Sequence, residues 1–397
     1  MRSVLPEKSV VIVAAKRTPQ GSFQGQFSSL SASDLGAHAI QSALASVSLD
    51  VEQVDALHFG CVLPAGQGQA PARQAGLKAG LTLSTPCTTV NKMCGSGMQA
   101  AIYAYNQILA NDANCIVAGG MESMTNAPHL LPKARQGYRL GDSTAIDHMF
   151  YDGLRDVKHG ELMGMFAELC ADTYHFSRQQ QDAFAIRSVS LAKAAIQSNA
   201  FSAEITPISV KTRKGETNYT EDEQPFKSDI DKIPSLRPAF KKTGTVTAAN
   251  SSSISDGAAA LILMDSEEAK KQGMTPLAKM VAHASHAQDA DWFSTAPIFA
   301  IKKLLKKCDW AIDDVDLFEI NEAFAVVTMV AIKELALNPD KVNVNGGACA
   351  LGHPIGSSGA RIIVSLIHAL KARGLKRGIA SLCIGGGEAT AVAIECP

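Results

Sequence analysis

Hydrophobic and polar positions along the chain follow two periods. Val10 to Ala15 is a β-branched apolar run with charge before it and a Gly-containing segment after it, which predicts a buried strand. Leu30, Leu35, Ala39, Ile40, Ala43 and Leu44 recur at helical spacing and predict a helix from Leu30 to Ala45, with Ser33 or Asp34 near its start. Val54 to Val62 returns to strand character. Strands alternating with helices over roughly the first 120 residues predict βαβ units and a parallel sheet.

The pattern then repeats. Val54-Asp55 opens VDALHFG and Val315-Asp316 opens VDLFEIN. A small-residue turn follows each, Gly95-Ser96-Gly97 and Gly356-Ser357-Ser358-Gly359, and the interval from valine to first glycine is 41 residues in both cases. Each turn leads into a helix-like stretch (Met98 to Leu109; Ala360 to Ala372) and then an apolar strand, Cys115 to Ala118 or Ile379 to Ile384. Both strands are expected to end in glycines, Gly119-Gly120 and Gly385-Gly386-Gly387. Equal spacing and shared punctuation predict a duplicated α/β fold with a pseudo-twofold axis. Between the halves, about 122–249, the texture is polar and turn-rich. It carries a helix from about Arg178 to Ser198, with Ser177 and Gln180 in a capping-box arrangement. An insertion of that kind is where a substrate-covering subdomain is expected.

Composition narrows the function. Thirty-seven Lys and Arg against 38 Asp and Glu leave a net charge of −1, so no basic excess exists to track nucleic acid. The 397 residues suffice for a core without staples. Nine cysteines, an odd and widely spaced set without C-x-x-C, indicate neither a disulfide framework nor a zinc finger and fit a reducing compartment. The N-terminal apolar run is strand-length and no stretch reaches bilayer length, so a cytoplasmic, soluble protein is expected.

Chemistry concentrates near the turns. Cys94 in NKMCGSGMQA sits before a helix, whose N–H groups and positive pole favour thiolate; a small buried hydrophobe is the other reading. Cys383 ends an apolar strand, either as core or at the rim where parallel strands present ligands. His353, in a Gly/Pro-rich turn, suits a base or an oxyanion donor. Asn321 in FEINEAFA could hold a water or donate to an oxygen, or cap a helix, and Glu322 could be a first-turn carboxylate. Gly66-Gln67-Gly68 lacks the rest of a dinucleotide fingerprint, there is no G-x-S-x-G elbow, and His283 and His286 lack a third metal ligand.

NKMCGSGMQA, GGMESMTNAPH, GTVTAANSSSISDGAA, NEAFA, GGACALGHPIGSSGAR and CIGGG, in that order from Val10 to Ile394, resemble the thiolase family. The resemblance implies a thiolase fold: a duplicated, five-layered αβαβα core of two five-stranded halves with an inserted loop domain. Its boundaries would be 1–121 and 250–275 for the first half, 122–249 for the loop domain and 276–397 for the second half. It implies Cys94 as acyl-carrying nucleophile, His353 as its activator and an oxyanion donor, and Asn321 as holder of a water in that oxyanion hole. Cys383 would be the α-carbon acid/base, and the N–H groups of Cys94 and Gly385 a second oxyanion hole. Coenzyme A contacts are implied at Leu154, Met163, Phe240, Ala248, Ser252 and Ala323.

The implied activity is reversible Claisen condensation of two acetyl-CoA to acetoacetyl-CoA. Cleavage of longer 3-ketoacyl-CoA, decarboxylating condensation, or a non-catalytic acyl-CoA carrier are the alternatives. No cofactor is implied beyond the acyl-CoA substrates, no metal, no membrane, and a homo-oligomer, dimer or tetramer. Short-chain members usually carry His-Met-Gly where this chain has Leu162-Met163-Gly164, and Met near Trp292-Phe293, and the basic residue expected directly after D-E-x-P is displaced, Phe226 preceding Lys227. These departures bear on acyl preference and phosphate contact, not on catalysis.

Overall fold

A computed structural model describes residues 8–212 and 215–397. The first seven residues, part of the N-terminal segment considered above, lie outside the described set, as do two residues of the polar insertion. The principal elements of the first half are β1 (Val10–Arg17), α1 (Ala32–Ser46), β2 (Ala56–Gly60), α2 (Pro71–Lys78), β3 (Cys87–Val90), α3 (Ser96–Leu109) and β4 (Cys115–Ser123). The insertion contributes α4 (Met163–Tyr174) and α5 (Arg178–Gln197). There follow β5 (Ser255–Asp265), β6 (Ala278–Ala287), α6 (Ala296–Cys308), β7 (Leu317–Ile320), α7 (Ala325–Glu334), α8 (Ile355–Arg373), β8 (Arg377–Ile384) and β9 (Glu388–Glu395).

The main strands form one sheet in the order β7-β8-β9-β6-β1-β5-β4-β2-β3. It is mixed rather than parallel. β2 runs parallel to β3 and β4, and β7 parallel to β8, while β5, β1, β6 and β9 pair antiparallel. Antiparallel pairing follows from connectivity: β8 turns directly into β9, and β5 returns after the insertion beside β4 and β1. Read outward from the β1–β6 junction, the two halves repeat the same pairing. The second has four strands, and a single parallel bridge from Phe318 to Val342 stands where β3 stands in the first.

Helices α3 and α8 touch each other and strands of both halves, α1 and α2 cover the outer face of the first half, and α6 covers that of the second. That is the αβαβα layering, with one apolar cluster around α3 and α8 and one on each outer side.

The recurrent Val-Asp pair has a physical reason. Asp55 Oδ2 accepts from the N–H groups of Asn114 and Cys115 at 2.7 and 3.0 Å, and Asp316 Oδ2 from those of Lys376 and Arg377 at 3.0 and 2.8 Å. Each aspartate thus anchors the first amides of the neighbouring parallel strand. The matched glycine turns have one too, because they meet. A Cβ on Gly97 would lie 2.8 Å from Ala360 N, and one on Gly359 2.4 Å from Met98 N, so α3 and α8 cross backbone to backbone.

Several local expectations are corrected. β4 runs through Gly119-Gly120 to Ser123; Gly120 is not a strand end but the point where Gly356 O comes within 2.0 Å of the missing Cβ. Helix α8 starts at Ile355, so Gly356 to Gly359 lie inside its first turns. The α1 cap is Ser31, with Asp34 completing its box. A short 3-10 turn at Val51–Gln53 delays β2 to Ala56. The insertion helix begins on Ser177, boxed with Gln180, as the pattern predicts.

Candidate active site

Cys94 is held by a tight turn. Met93 takes a left-handed φ of +47°, Ser96 Oγ donates to Met93 O at 2.6 Å and accepts from Lys92 N at 2.9 Å, and α3 starts two residues beyond the cysteine. Lys92 Nζ pairs with Glu388 of β9, tying this turn to the tip of the second half. There Cys383 is the penultimate residue of β8, and Gly385 to Gly387 make the turn into β9. Both sulfurs line one apolar cavity of about 420 Å³, with His353 and Gly385 beside them.

The six residues implied for coenzyme A all line the same cavity. Ala248 is exposed; Leu154, Met163, Phe240 and Ser252 are half-buried; Ala323 is buried. The walls therefore run from an open mouth down to buried Cys383 and His353. Ser252 is fixed by its N–H and its hydroxyl, both donating to Ala323 O at 3.0 Å.

Asn321 does not line the cavity. It is buried behind His353, its Nδ2 3.4 Å from His353 Nε2. It caps no helix, since α7 begins only at Ala325 with Phe324 at the cap position. Glu322 is likewise not in the first turn of α7. Its buried carboxylate accepts from Ser188 Oγ, Asn343 Nδ2 and Cys349 N, the last within a short helix of a different segment.

Electrostatics overturn one expectation. The helix end does not make Cys94 a resting thiolate. Burial pushes its pKa up to about 11 and nearby Glu122 adds to this, outweighing the N–H groups of Gly385 and Cys94 itself, which point at the sulfur. Cys383 is raised well above the ordinary thiol value by burial and by Cys94. His353 is lowered to about 3, by burial first and then by the Arg361 cation. Its Nδ1 lies 2.5 Å from Ser358 Oγ, and that hydroxyl donates to Pro354 O at 2.9 Å, so Ser358 is the acceptor and Nδ1 carries the proton. Nε2 is left with a lone pair. The resting site is two thiols and a neutral imidazole, able to accept a proton from sulfur and return it.

Sequence reasoning missed part of the lining: Met124, Phe150, Leu162, Phe293, Phe324 and Ile355. Leu162 and Phe293 were visible as departures from the family pattern; Phe324 sat unassigned within NEAFA, as did Ser358 and Arg361 within GSSGAR. His283 and His286 pair with Asn106 and Gln288 instead of with each other.

This geometry belongs to a known class. Residues 10–267 match the thiolase N-terminal domain and residues 274–396 the thiolase C-terminal domain, so the chain belongs to the thiolase family. Among its relatives, the acetyl-CoA acetyltransferase of Escherichia coli (strain K12) is 48% identical over 390 residues, covering 98% of this chain and 99% of that protein. The acetyl-CoA acetyltransferase of Schizosaccharomyces pombe is 47% identical, over 97% of this chain and 98% of its own length. The crystal structure of the Bacillus anthracis acetyl-CoA acetyltransferase superposes with a TM-score of 0.96 at 41% identity, covering 98% and 99% of the two chains.

Proposed function

We propose that the chain is an acetyl-CoA acetyltransferase that joins two acetyl-CoA into acetoacetyl-CoA and free coenzyme A, and runs the reverse cleavage. The observation that carries the reading is the meeting of Cys94 and Cys383, from opposite halves, at one apolar cavity beside a neutral His353.

The chemistry balances on these groups. Cys94 Sγ attacks the first thioester while its proton passes to His353 Nε2. The tetrahedral oxyanion faces the N–H groups of Cys94 and Gly385. Departing coenzyme A takes the proton of Cys383 and leaves as a thiol. The Cys383 thiolate, made strongly basic by burial, removes the α-proton of the second acetyl-CoA. The enolate oxygen is held by protonated His353 and by Asn321 with the water it binds. The enolate carbon then attacks the acetyl group on Cys94. A carbon–carbon bond forms, the carbon–sulfur bond breaks, and Cys94 recovers its proton from His353. Ping-pong kinetics follow.

The segment 122–249 is read as the substrate-covering domain between halves at 1–121 with 250–275 and at 276–397. The protein acts as a homo-oligomer, dimer or tetramer, and nine free cysteines support a reducing, cytoplasmic setting. No helix among the described residues is long and apolar enough to cross a membrane.

The test is half-reaction analysis with labelled acetyl-CoA. Cys94→Ala takes up no acetyl group, whereas Cys383→Ser is acetylated and condenses poorly. Equal loss of acetylation in both contradicts the division of roles. A ladder of 3-ketoacyl-CoA lengths checks the substrate: cleavage confined to chains beyond four carbons rejects the acetyl assignment in favour of a longer-chain thiolase. Sedimentation as a 41.8 kDa species rules out the oligomer.

A further inference from the structure

Asn321 can donate to an oxyanion only if its side-chain amide faces the right way, and an amide has two nearly isosteric orientations. The structure contains a device that distinguishes them. Arg361 is 1% exposed and lies on α8, three residues after Ser358, the residue that fixes His353. Among the described residues, the one hydrogen bond its guanidinium makes is from NH2 to Asn321 Oδ1, at 3.3 Å. Its counter-ion Glu319 stands two residues before Asn321 on β7, at 3.6 Å from NH1, too far for a hydrogen bond.

Resting on the function proposed above, we propose that Arg361 is a positioning residue that locks the Asn321 amide with its oxygen turned toward α8 and its N–H groups turned toward His353 Nε2 and the water through which it reaches the enolate oxygen.

Donor and acceptor chemistry fixes the orientation. A guanidinium carries five N–H donors and no acceptor, so only Oδ1 can face it. Flipping the amide would set N–H against N–H on one side, and Oδ1 against the imidazole lone pair on the other. The flipped oxygen would also point where negative charge grows during condensation. A neutral residue at 361 leaves only the His353 Nε2 lone pair to oppose the flip, and that opposition ends once Nε2 takes up the proton of Cys94. Ser358 and Arg361 thus use one face of α8 for one purpose: the hydroxyl sets which nitrogen of His353 is free, and the guanidinium sets which end of Asn321 is presented. A core cation with no further role would make its hydrogen bonds to its carboxylate; this one makes its bond to Asn321.

The test is a double-variant cycle read on separate half-reactions. Asn321→Ala and Arg361→Met should each lower kcat for condensation on the order of 10²-fold, the usual loss for one oxyanion donor. KM for acetyl-CoA should stay near wild type, and the burst of Cys94 acetylation, which uses the other oxyanion hole, should not slow. The double variant should lose no more than Asn321→Ala alone, because Arg361 acts through Asn321. Arg361→Lys, which keeps a donor-only side chain, should recover a large part of the rate. Should Arg361→Met fail to fold, Arg361→Gln replaces it in the cycle, since its amide can face Asn321 either way. Multiplying losses in the double variant, or parallel loss of acetylation and condensation, overturns the assignment. Failure of wild-type Cys94 to take up acetyl overturns instead the function on which it rests.

Discussion

Gly95 decides how closely the two cysteine-bearing tips can approach. Its backbone (φ −79°, ψ −4°) is one that alanine adopts freely, so Gly95→Ala carries no dihedral strain. On backbone entropy alone it would stabilise by about 0.4–1 kcal/mol. Sterics oppose this. The new Cβ would lie 2.4 Å from Ile384 Cδ1 and 3.0 Å from Cγ1, against an ordinary carbon contact of about 3.5–4.0 Å. Ile384 is 1% exposed, between Cys383 and Gly385, so relief requires an off-rotamer side chain or a shift of the Cys94 turn. Overpacking of this kind costs about 1–3 kcal/mol, leaving a net destabilisation of about 1–2 kcal/mol. If the turn moves by about 1 Å, the rate should fall on the order of 10²-fold. Ile384→Val deletes the very atom at 2.4 Å and alone costs about 0.5–1.5 kcal/mol. The double variant should then be about as stable as Ile384→Val, a coupling of about 1–2 kcal/mol, and should regain condensation activity. Urea unfolding at constant m together with steady-state kinetics reads both. Losses that simply add to within about 0.5 kcal/mol would show that the contact does not set the tip spacing.

Three further outcomes follow from the charges and walls. His353, lowered to about 3 by burial and Arg361, takes up a proton on unfolding anywhere between that value and about 6.5. Stability should therefore fall as pH drops below about 6.5, and His353→Gln should flatten the slope by up to about 1.4 kcal/mol per pH unit; identical slopes in acid melts refute the neutral imidazole. Arg17 is fully buried, hydrogen-bonded to Glu204 at 2.6 Å and to Asp222 at 2.7 and 2.9 Å. Arg17→Met strands two buried carboxylates and should cost about 3–5 kcal/mol in denaturant midpoints, whereas a loss under about 1 kcal/mol would mean the clamp is not needed. In Gly164→Ala the Cβ would meet the Phe240 ring at 2.3 Å, so KM for acetyl-CoA should rise with kcat largely kept; the reverse pattern removes Phe240 from the binding wall.

How much of this was legible in the sequence depends on the range of the interaction involved. The strand at Val10 and the helix capped by Ser177 and Gln180 are set by neighbours a few residues apart, and the pattern found them. The duplication was legible because Asp55 and Asp316 answer the same local demand, two bare amides at a strand start, in each half. Glycines misled where their reason was distant. Gly119 and Gly120 looked like punctuation, but Ala259 O and Gly356 O occupy the space their side chains would need. Asn321 looked like a cap because the chain turns helical soon after it, yet α7 starts four residues later and the amide answers to Arg361. The positive end of α3 near Cys94 was legible, while the burial that outweighs it is a property of the assembled halves.

That last discrepancy bears on why the site spans both halves. A single half could offer a cysteine at a helix end, and such a thiol, open to water, would drift toward thiolate and react with any electrophile. Enclosing Cys94 against Cys383 and lowering His353 to about 3 removes charge from the resting site altogether. On the proposed mechanism, thiolate and imidazolium then arise only as a pair, when a thioester carbonyl is in place to receive the sulfur and the N–H groups of Cys94 and Gly385 are in place to receive the oxyanion. The same enclosure that raises the resting thiols would, on that mechanism, make the Cys383 thiolate basic enough to act on a weak carbon acid. Reactivity and restraint therefore have one physical source, the apolar contact between the two tips, and loosening that contact should raise the reaction of Cys94 with a small alkylating agent even as it lowers condensation.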